Sequence, residues 1–237
     1  MAKLWLKGVR YIKCYGELRF GTRPQTIESA IDYCVDRPIL MAQARSEILQ
    51  LGKLLQESAP KRSLEIGTNY GGTLFLLCAV SPPKARIISL DLPLGPFGGG
   101  YPRRKIPLYQ RFPRAGQKLH LVRANSHAPE TKEQVLRILG GGEQLDYLFL
   151  DGDHTYQGVR SDFEMYAPLV RSGGLVAFHD IVTYDAGSKC EVSTFWNEIK
   201  NSYAHREFIE GMTNGAPPVA ITGAAMETAG LGVLFMP

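Results

Sequence analysis

The sequence predicts an α/β fold, a doubly wound, mostly parallel seven-stranded sheet with an antiparallel edge hairpin. Three observations predict it. From residue 63 to residue 202 short apolar runs alternate with helix-like segments, and strands separated by helices imply right-handed crossovers and parallel pairing. Two later runs, Glu207-Phe208-Ile209-Glu210 and Leu231-Gly232-Val233-Leu234-Phe235, read as strands with no helix between them, which suits a closing hairpin. Several apolar runs also end in polar groups, as strands do when their carboxyl ends face a ligand.

In chain order, residues 1–36 carry little periodic signal and read as an irregular N-terminal arm, leaving residues 37–237 as the main domain. Residues 38–57 read as a helix, with Ile39, Ala42, Ile48, Leu51, Leu54 and Leu55 largely on one face to cover the sheet. There follow strand 63–67, helix 71–80, strands 86–91 and 118–123, helix 129–139, strand 145–151, helix 157–171, strand 174–180 and helix 192–202. Two segments interrupt this pattern. Leu92-Pro93-Leu94-Gly95-Pro96-Phe97-Gly98-Gly99-Gly100-Tyr101-Pro102 holds no regular element, because prolines and glycines break both helix and strand. It is either a lid over the ligand site or a surface excursion. Residues 211–230, rich in Gly, Ala and Pro, read as a loop on the same side with no assigned function.

Composition excludes several classes. Basic and acidic residues nearly balance, 27 against 23, and the one basic run, Arg103-Arg104-Lys105, reads as a solvated loop rather than a nucleic-acid site. No segment approaches a membrane span, and Met1-Ala2-Lys3-Leu4-Trp5-Leu6-Lys7 lacks the apolar core of a signal peptide. A soluble, cytoplasmic protein is expected. Cys14, Cys34, Cys78 and Cys190 lack the close pairing of a zinc knuckle or redox motif. Reduced thiols fit the cytoplasm, and Cys78, in an apolar helical run, reads as a small core residue.

The most specific stretch is Leu64-Glu65-Ile66-Gly67-Thr68-Asn69-Tyr70-Gly71-Gly72-Thr73, a buried strand, a glycine turn and a helix start. Its glycines let a ligand lie against main-chain N–H groups at a helix N-terminus. The next apolar run, Ile87-Ile88-Ser89-Leu90-Asp91, ends in a carboxylate placed to accept hydrogen bonds from both hydroxyls of a ribose. The turn is not G-x-G-x-x-G, since Asn69 stands where a second glycine admits pyrophosphate, and no Gly-Lys-Ser/Thr follows. A nucleoside ligand without phosphate is expected, and Glu65 suits a cationic one. Glu-x-Gly-x-x-x-Gly resembles the first motif of class I S-adenosylmethionine-dependent methyltransferases, a Rossmann-like fold. The resemblance implies S-adenosylmethionine as cofactor, held by Glu65, Gly67, Thr68, Tyr70, Gly71, Gly72, Thr73, Asp91, Leu92, Asn125, Ser126 and Asp151. Asn125-Ser126 would face the adenine at a position where the family usually has Asp-Ser, with the Asn125 carbonyl oxygen as acceptor.

Two further strand ends carry reactive groups. Leu145-Asp146-Tyr147-Leu148-Phe149-Leu150-Asp151-Gly152-Asp153-His154 and Gly174-Leu175-Val176-Ala177-Phe178-His179-Asp180 place Asp151, His154, His179 and Asp180 on adjacent strand tips. Asp151, His179 and Asp180 suit a divalent cation, and His154 is a base with an ordinary pKa near working pH. The run from Leu148 to Asp180 resembles metal-associated O-methyltransferases, including macrolide-sugar methyltransferases, and cephalosporin hydroxylase-like proteins. That resemblance covers residues 38–202. It implies Asp151 and Asp180 as cation ligands, His179 in the place of an acidic ligand, and His154 as the catalytic base taking the acceptor hydroxyl's proton. Histidine there weakens magnesium binding or favours manganese. Asp153 reads as a turn residue and Asp162 as structural. His127 is a second base or a helix cap, and Trp196 shapes the acceptor pocket or belongs to the core.

The expected function is S-adenosylmethionine-dependent O-methyl transfer to a small hydroxylated molecule or sugar. The alternatives are a non-catalytic cofactor-binding accessory protein, a hydroxylase-like relative on the same fold and, more remotely, a dehydrogenase. No nucleic-acid or membrane partner is expected, and residues 1–36 are available to a homo-oligomer interface.

Overall fold

The computed structural model describes residues 2–35, 37–183, 188–210 and 229–237, with side chains from residue 8 onward. Its strands are β1 (Arg62–Ile66), β2 (Arg86–Asp91), β3 (Lys118–Arg123), β4 (Leu145–Leu150), β5 (Val170–His179), β6 (Ala204–Phe208) and β7 (Leu231–Phe235). They form one seven-stranded sheet in the order β3-β2-β1-β4-β5-β7-β6. The first five pair in parallel, and β7 lies antiparallel between β5 and β6. The helices are α1 (Ala2–Phe20), α2 (Ile27–Cys34), α3 (Arg45–Ser58), α4 (Gly72–Val80), α5 (Ile106–Tyr109), α6 (Pro129–Leu139), α7 (Tyr156–Tyr166) and α8 (Val192–Ile199).

Both sheet faces are covered, so the central strands are largely apolar and successive residues enter opposite cores. Ile87, Tyr147, Ala177 and Val233 join the core under α2, α3 and α4, while their neighbours Ile88, Leu148, Val176 and Leu234 join the core under α6, α7 and α8. All parallel strands therefore present their carboxyl ends along one edge. No described helix is long and apolar enough to cross a membrane.

Several expectations change. Residues 2–35 are not an irregular arm but carry α1 and α2. Thr26 and Ser29 form a reciprocal capping box that starts α2, and Cys14, Leu18, Ile27, Ala30, Ile31 and Cys34 are buried in the α3/α4-side core. The apolar pattern of α1 is weak because tyrosines and cysteine share its packing face with few aliphatic residues. The helix expected over 38–57 begins only at Arg45. Ahead of it, Leu40 and Met41 press their backbone against Gly72, where a Cβ would lie 2.5 Å from the Leu40 carbonyl oxygen. The helix expected over 157–171 ends at Tyr166 in a 3-10 turn, Ala167–Leu169, that contains Pro168. Strand β5 starts four residues early at Val170, and its pairing with β4 shifts register between Leu145 and Tyr147, absorbing the Gly173-Gly174 irregularity. The helix expected over 192–202 ends at Ile199, with a 3-10 turn over Lys200–Ser202. Strand β6 lies earlier than expected, at Ala204–Phe208. The loop of residues 211–230 lies outside the described residues up to 228.

Candidate active site

At the glycine turn after β1, the ends of β1 and β4 come into backbone contact. Gly67 has φ 90°, and a Cβ there would lie 1.9 Å from the Asp151 carbonyl oxygen, so only glycine lets the β1 and β4 tips meet. Gly71, φ 86°, backs onto the Tyr109 ring, and Tyr109 donates to the Asn69 carbonyl at 2.8 Å. The turn is thus built by backbone proximity as well as by strand polarity.

Above it opens a cavity of about 440 Å³ lined by Gly67, Thr68, Tyr70, Gly72, Thr73, Asp91, Leu92, Asn125, Ser126, Asp151, His154, His179 and Asp180, among others. Of the cofactor, catalytic and metal residues expected from sequence, all but Glu65 and Gly71 line it. Glu65 is buried beneath the turn, where its oxygens accept hydrogen bonds from the Thr68 hydroxyl at 2.7 Å and from the Thr73 hydroxyl. Burial pushes its carboxyl up to about 8 against the lowering effect of those two hydroxyls. Thr68 and Thr73, rather than Glu65, face the cavity. Asp91 is anchored through Oδ2, which accepts from the Asn69 N–H at 3.0 Å and the Tyr101 N–H at 2.9 Å. Burial raises its carboxyl, and the Tyr101 and Asn69 amides oppose that. The Asn125 side-chain oxygen Oδ1 accepts from the His127 N–H at 3.0 Å. The His127 ring does not cap α6; it meets Asp162 at 3.3 Å, and that carboxylate outweighs burial to raise its pKa.

At the far end the strand tips of β4 and β5 assemble a charged cluster. His154 Nδ1 lies 2.9 Å from Asp180 Oδ2, and His154 Nε2 lies 3.5 Å from Asp151 Oδ1. His179 Nδ1 lies 3.1 Å from Asp151 Oδ1 and 3.4 Å from Asp180 Oδ1. Asp180 adopts φ 62°, a left-handed turn that ends β5 and swings the carboxylate between both imidazoles. Burial alone would depress His154, yet the Asp180 hydrogen bond, Cys190 and the Asp151 charge lift it to about 10. His179 is likewise held well above the ordinary range: burial opposes, but the charges of Asp151 and Asp180 prevail. Asp180, despite burial, is driven well below the usual carboxylate range by His179 and His154. Asp151, His179 and Asp180 each offer an atom within 4.8 Å of the others, a grouping that would hold a metal ion.

Three neighbours were not read from sequence. Gln43 donates from Nε2 to Asp151 Oδ2 at 3.2 Å. Phe97, in the Gly/Pro loop after β2, stacks on the His154 ring at 4.8 Å and 8°, so this loop covers the cavity. Cys190, half-buried before α8, joins His154 and Asp180. Gln43 precedes a helix and Phe97 and Cys190 lie in loops, so no periodicity marks them. Asp153 is a turn residue, accepting from the Thr155 amide and hydroxyl. Trp196 belongs to the core, fully buried with Nε1 donating to Glu207 at 2.6 Å, and Cys78 is also fully buried.

The family described as methyltransferase domain matches residues 64–181, the span from β1 through β5 that builds this cavity. Over that span, just under half of the chain, the sequence is similar to methyltransferase domains. An uncharacterized protein of Acanthamoeba polyphaga mimivirus is 34% identical over 121 residues, covering 51% of this chain and 52% of that protein. The chain thus spans about half the length of that curated relative. The methyltransferase fold recurs in an O-methyltransferase from Bacillus cereus, solved with SAH. That structure has a TM-score of 0.56 at 15% identity, over 94% of this chain and 96% of the other. TomG from Streptomyces achromogenes, an O-methyltransferase of tomaymycin synthesis solved with SAM, has a TM-score of 0.54 at 15% identity over 94% and 95%.

Proposed function

We propose that the protein is an S-adenosylmethionine-dependent O-methyltransferase acting on a hydroxyl of a small molecule or sugar. The observation that carries this reading is one cavity with a glycine turn and Asp91 at one end and His154 between Asp151 and Asp180 at the other. When bound, S-adenosylmethionine supplies a methyl group on a positively charged sulfur. Asp91 keeps Oδ1 for a ribose hydroxyl while Oδ2 is anchored by backbone. Gly67 and Gly72 keep the cavity floor bare of side chains, and Asn125 and Ser126 border the base. The volume falls within the range of small-molecule sites.

His154 would act as the general base, taking the acceptor hydroxyl's proton while the methyl group passes to that oxygen and its bond to the sulfonium sulfur breaks, the bonding pair staying on sulfur. Asp180 fixes its ring by the Nδ1 contact and leaves Nε2 for the acceptor. Held near 10, His154 is protonated at neutral pH, so the basic form is scarce until the charge of Asp151 and Asp180 is partly neutralised. Asp151, His179 and Asp180 would hold a divalent cation that does this, and the mixed oxygen and nitrogen donors suit manganese better than magnesium. The fit is supported by two buried polar atoms at this end, Gln43 Oε1 and His179 Nε2, that have no hydrogen-bond partner among the described residues. Phe97 and its loop exclude water from the reacting end. We further propose a cytoplasmic location, in keeping with four free cysteines, and a homo-oligomer using residues 1–36, the helical extension of a domain spanning residues 37–237.

The decisive test is calorimetric titration with S-adenosylhomocysteine, with and without manganese or magnesium. Micromolar binding strengthened by metal is expected. Absence of binding in every condition would overturn the reading.

A further inference from the structure

Cys190 neither moves a proton nor holds an ion in the chemistry proposed above, yet it stands in the charged cluster. Atoms offered by His154, Asp180 and Cys190 all lie within 4.8 Å of one another. The other three cysteines are buried in the core, whereas Cys190 is only half-buried, and His154 and Asp180 open onto the cavity, which gives an ion a route in. The segment carrying the thiol is tied to the segment carrying the imidazole. Glu191 N–H donates to the His154 carbonyl at 2.7 Å, and Tyr156 N–H donates to Glu191 Oε2 at 3.0 Å. These bonds fix Cys190 beside His154 whether or not an ion is present.

We propose that His154, Asp180 and Cys190 form a thiolate-containing site for a zinc-class divalent ion, distinct from the Asp151/His179/Asp180 set and sharing Asp180 with it. The two sets differ in softness. The first offers two carboxylates and an imidazole, the second a sulfur, an imidazole and a carboxylate, and sulfur selects zinc or cobalt over magnesium and manganese. In a tetrahedral zinc site, metal distances of about 2.0–2.3 Å put ligand atoms about 3.3–3.8 Å apart, so with 4.8 Å as the outer limit here closing this site requires at most about 1.5 Å of movement. Asp180 has an oxygen for each set, Oδ2 toward His154 and Oδ1 toward His179. On binding, the thiol proton and the imidazolium proton of His154 both leave to solvent, and the nitrogen lone pair so freed is taken by the ion. The consequence for turnover rests on His154 being the base of the proposed methyl transfer: zinc would inhibit it.

The test uses cobalt(II) as probe on the reduced full-length chain. A sulfur-to-cobalt charge-transfer band in the near ultraviolet is expected, bleached by zinc, retained in Asp151→Asn and lost in Cys190→Ser. No band, or a band that survives in Cys190→Ser, overturns the proposal. Should Cys190→Ser fail to fold, alkylation of wild-type Cys190 followed by peptide mapping replaces it. Zinc is expected to slow that labelling at least about tenfold by occupying the thiolate, and unchanged labelling overturns the site. The spectroscopic readout is independent of turnover. A band without S-adenosylhomocysteine binding would leave the metal site standing and remove the methyltransferase reading.

Discussion

Gly67→Ala tests whether the site rests on the approach of two strand tips. With φ 90° at residue 67, an alanine pays left-handed strain of about 1–2 kcal/mol. Its Cβ would also stand 1.9 Å from the Asp151 carbonyl oxygen and 2.4 Å from its carbon. Neither is a flexible side chain, so β1 and β4 must separate, and overpacking of this kind costs about 1–3 kcal/mol. The sum, about 2–5 kcal/mol, is a large share of the about 5–15 kcal/mol of a typical fold. It corresponds to a fall in Tm of order 10 °C for a chain of this length. Urea unfolding followed by fluorescence measures it as a lower midpoint at unchanged slope. Gly16→Ala is the control: nothing lies within 4 Å of its added Cβ in α1, and helix propensity predicts a gain of up to about 1 kcal/mol. A loss below about 1 kcal/mol at Gly67 would refute the close-approach argument.

Other predictions concern the reacting end. His154→Ala should lower kcat by about 10²–10⁴ while S-adenosylhomocysteine affinity stays within a few-fold, as calorimetry and initial rates would show; an unchanged kcat would exclude it as base. In chelator, kcat/KM should climb with pH toward about 10, because His154 is lifted to about 10 and only its neutral form accepts a proton. Asp180→Asn should move that climb toward the ordinary histidine value of about 6.5, and a flat profile between pH 6 and 9 would contradict it. The same raised pKa makes the His154–Asp180 pair fully stabilising below about pH 6.5 and lost as pH rises through about 10. The difference in urea midpoint between wild type and His154→Gln should therefore shrink from pH 6 to pH 10.5. Asp91→Asn should weaken S-adenosylhomocysteine about tenfold or more, since charge-assisted hydrogen bonds are worth about 1.5–3 kcal/mol; equal affinity would remove Asp91 from the ribose site.

The alternation of strands and helices was legible because a strand buried on both faces must be apolar along its length, as Ile87-Ile88 and Leu148-Phe149-Leu150 are. The gathering of Asp91, Asp151, His154, His179 and Asp180 was legible for a related reason: parallel strands joined by helices end on one edge, so the residues after each apolar run must be neighbours. Helix α2 was missed because its eight residues hold too few apolar repeats to register, although its Thr26–Ser29 capping box lay in the sequence.

Sequence alone determined the sheet class, the glycine turn and the chemical types gathered at its edge, all of which follow from local pattern and chain direction. Tertiary structure alone decided how those groups are used. It turned Glu65 beneath Thr68 and Thr73, gave each Asp180 oxygen a different imidazole, and brought Gln43, Phe97 and Cys190 to the cluster. Those placements depend on the paths of irregular segments and on rotamers chosen by neighbours distant in the chain. Neither leaves a period in the sequence.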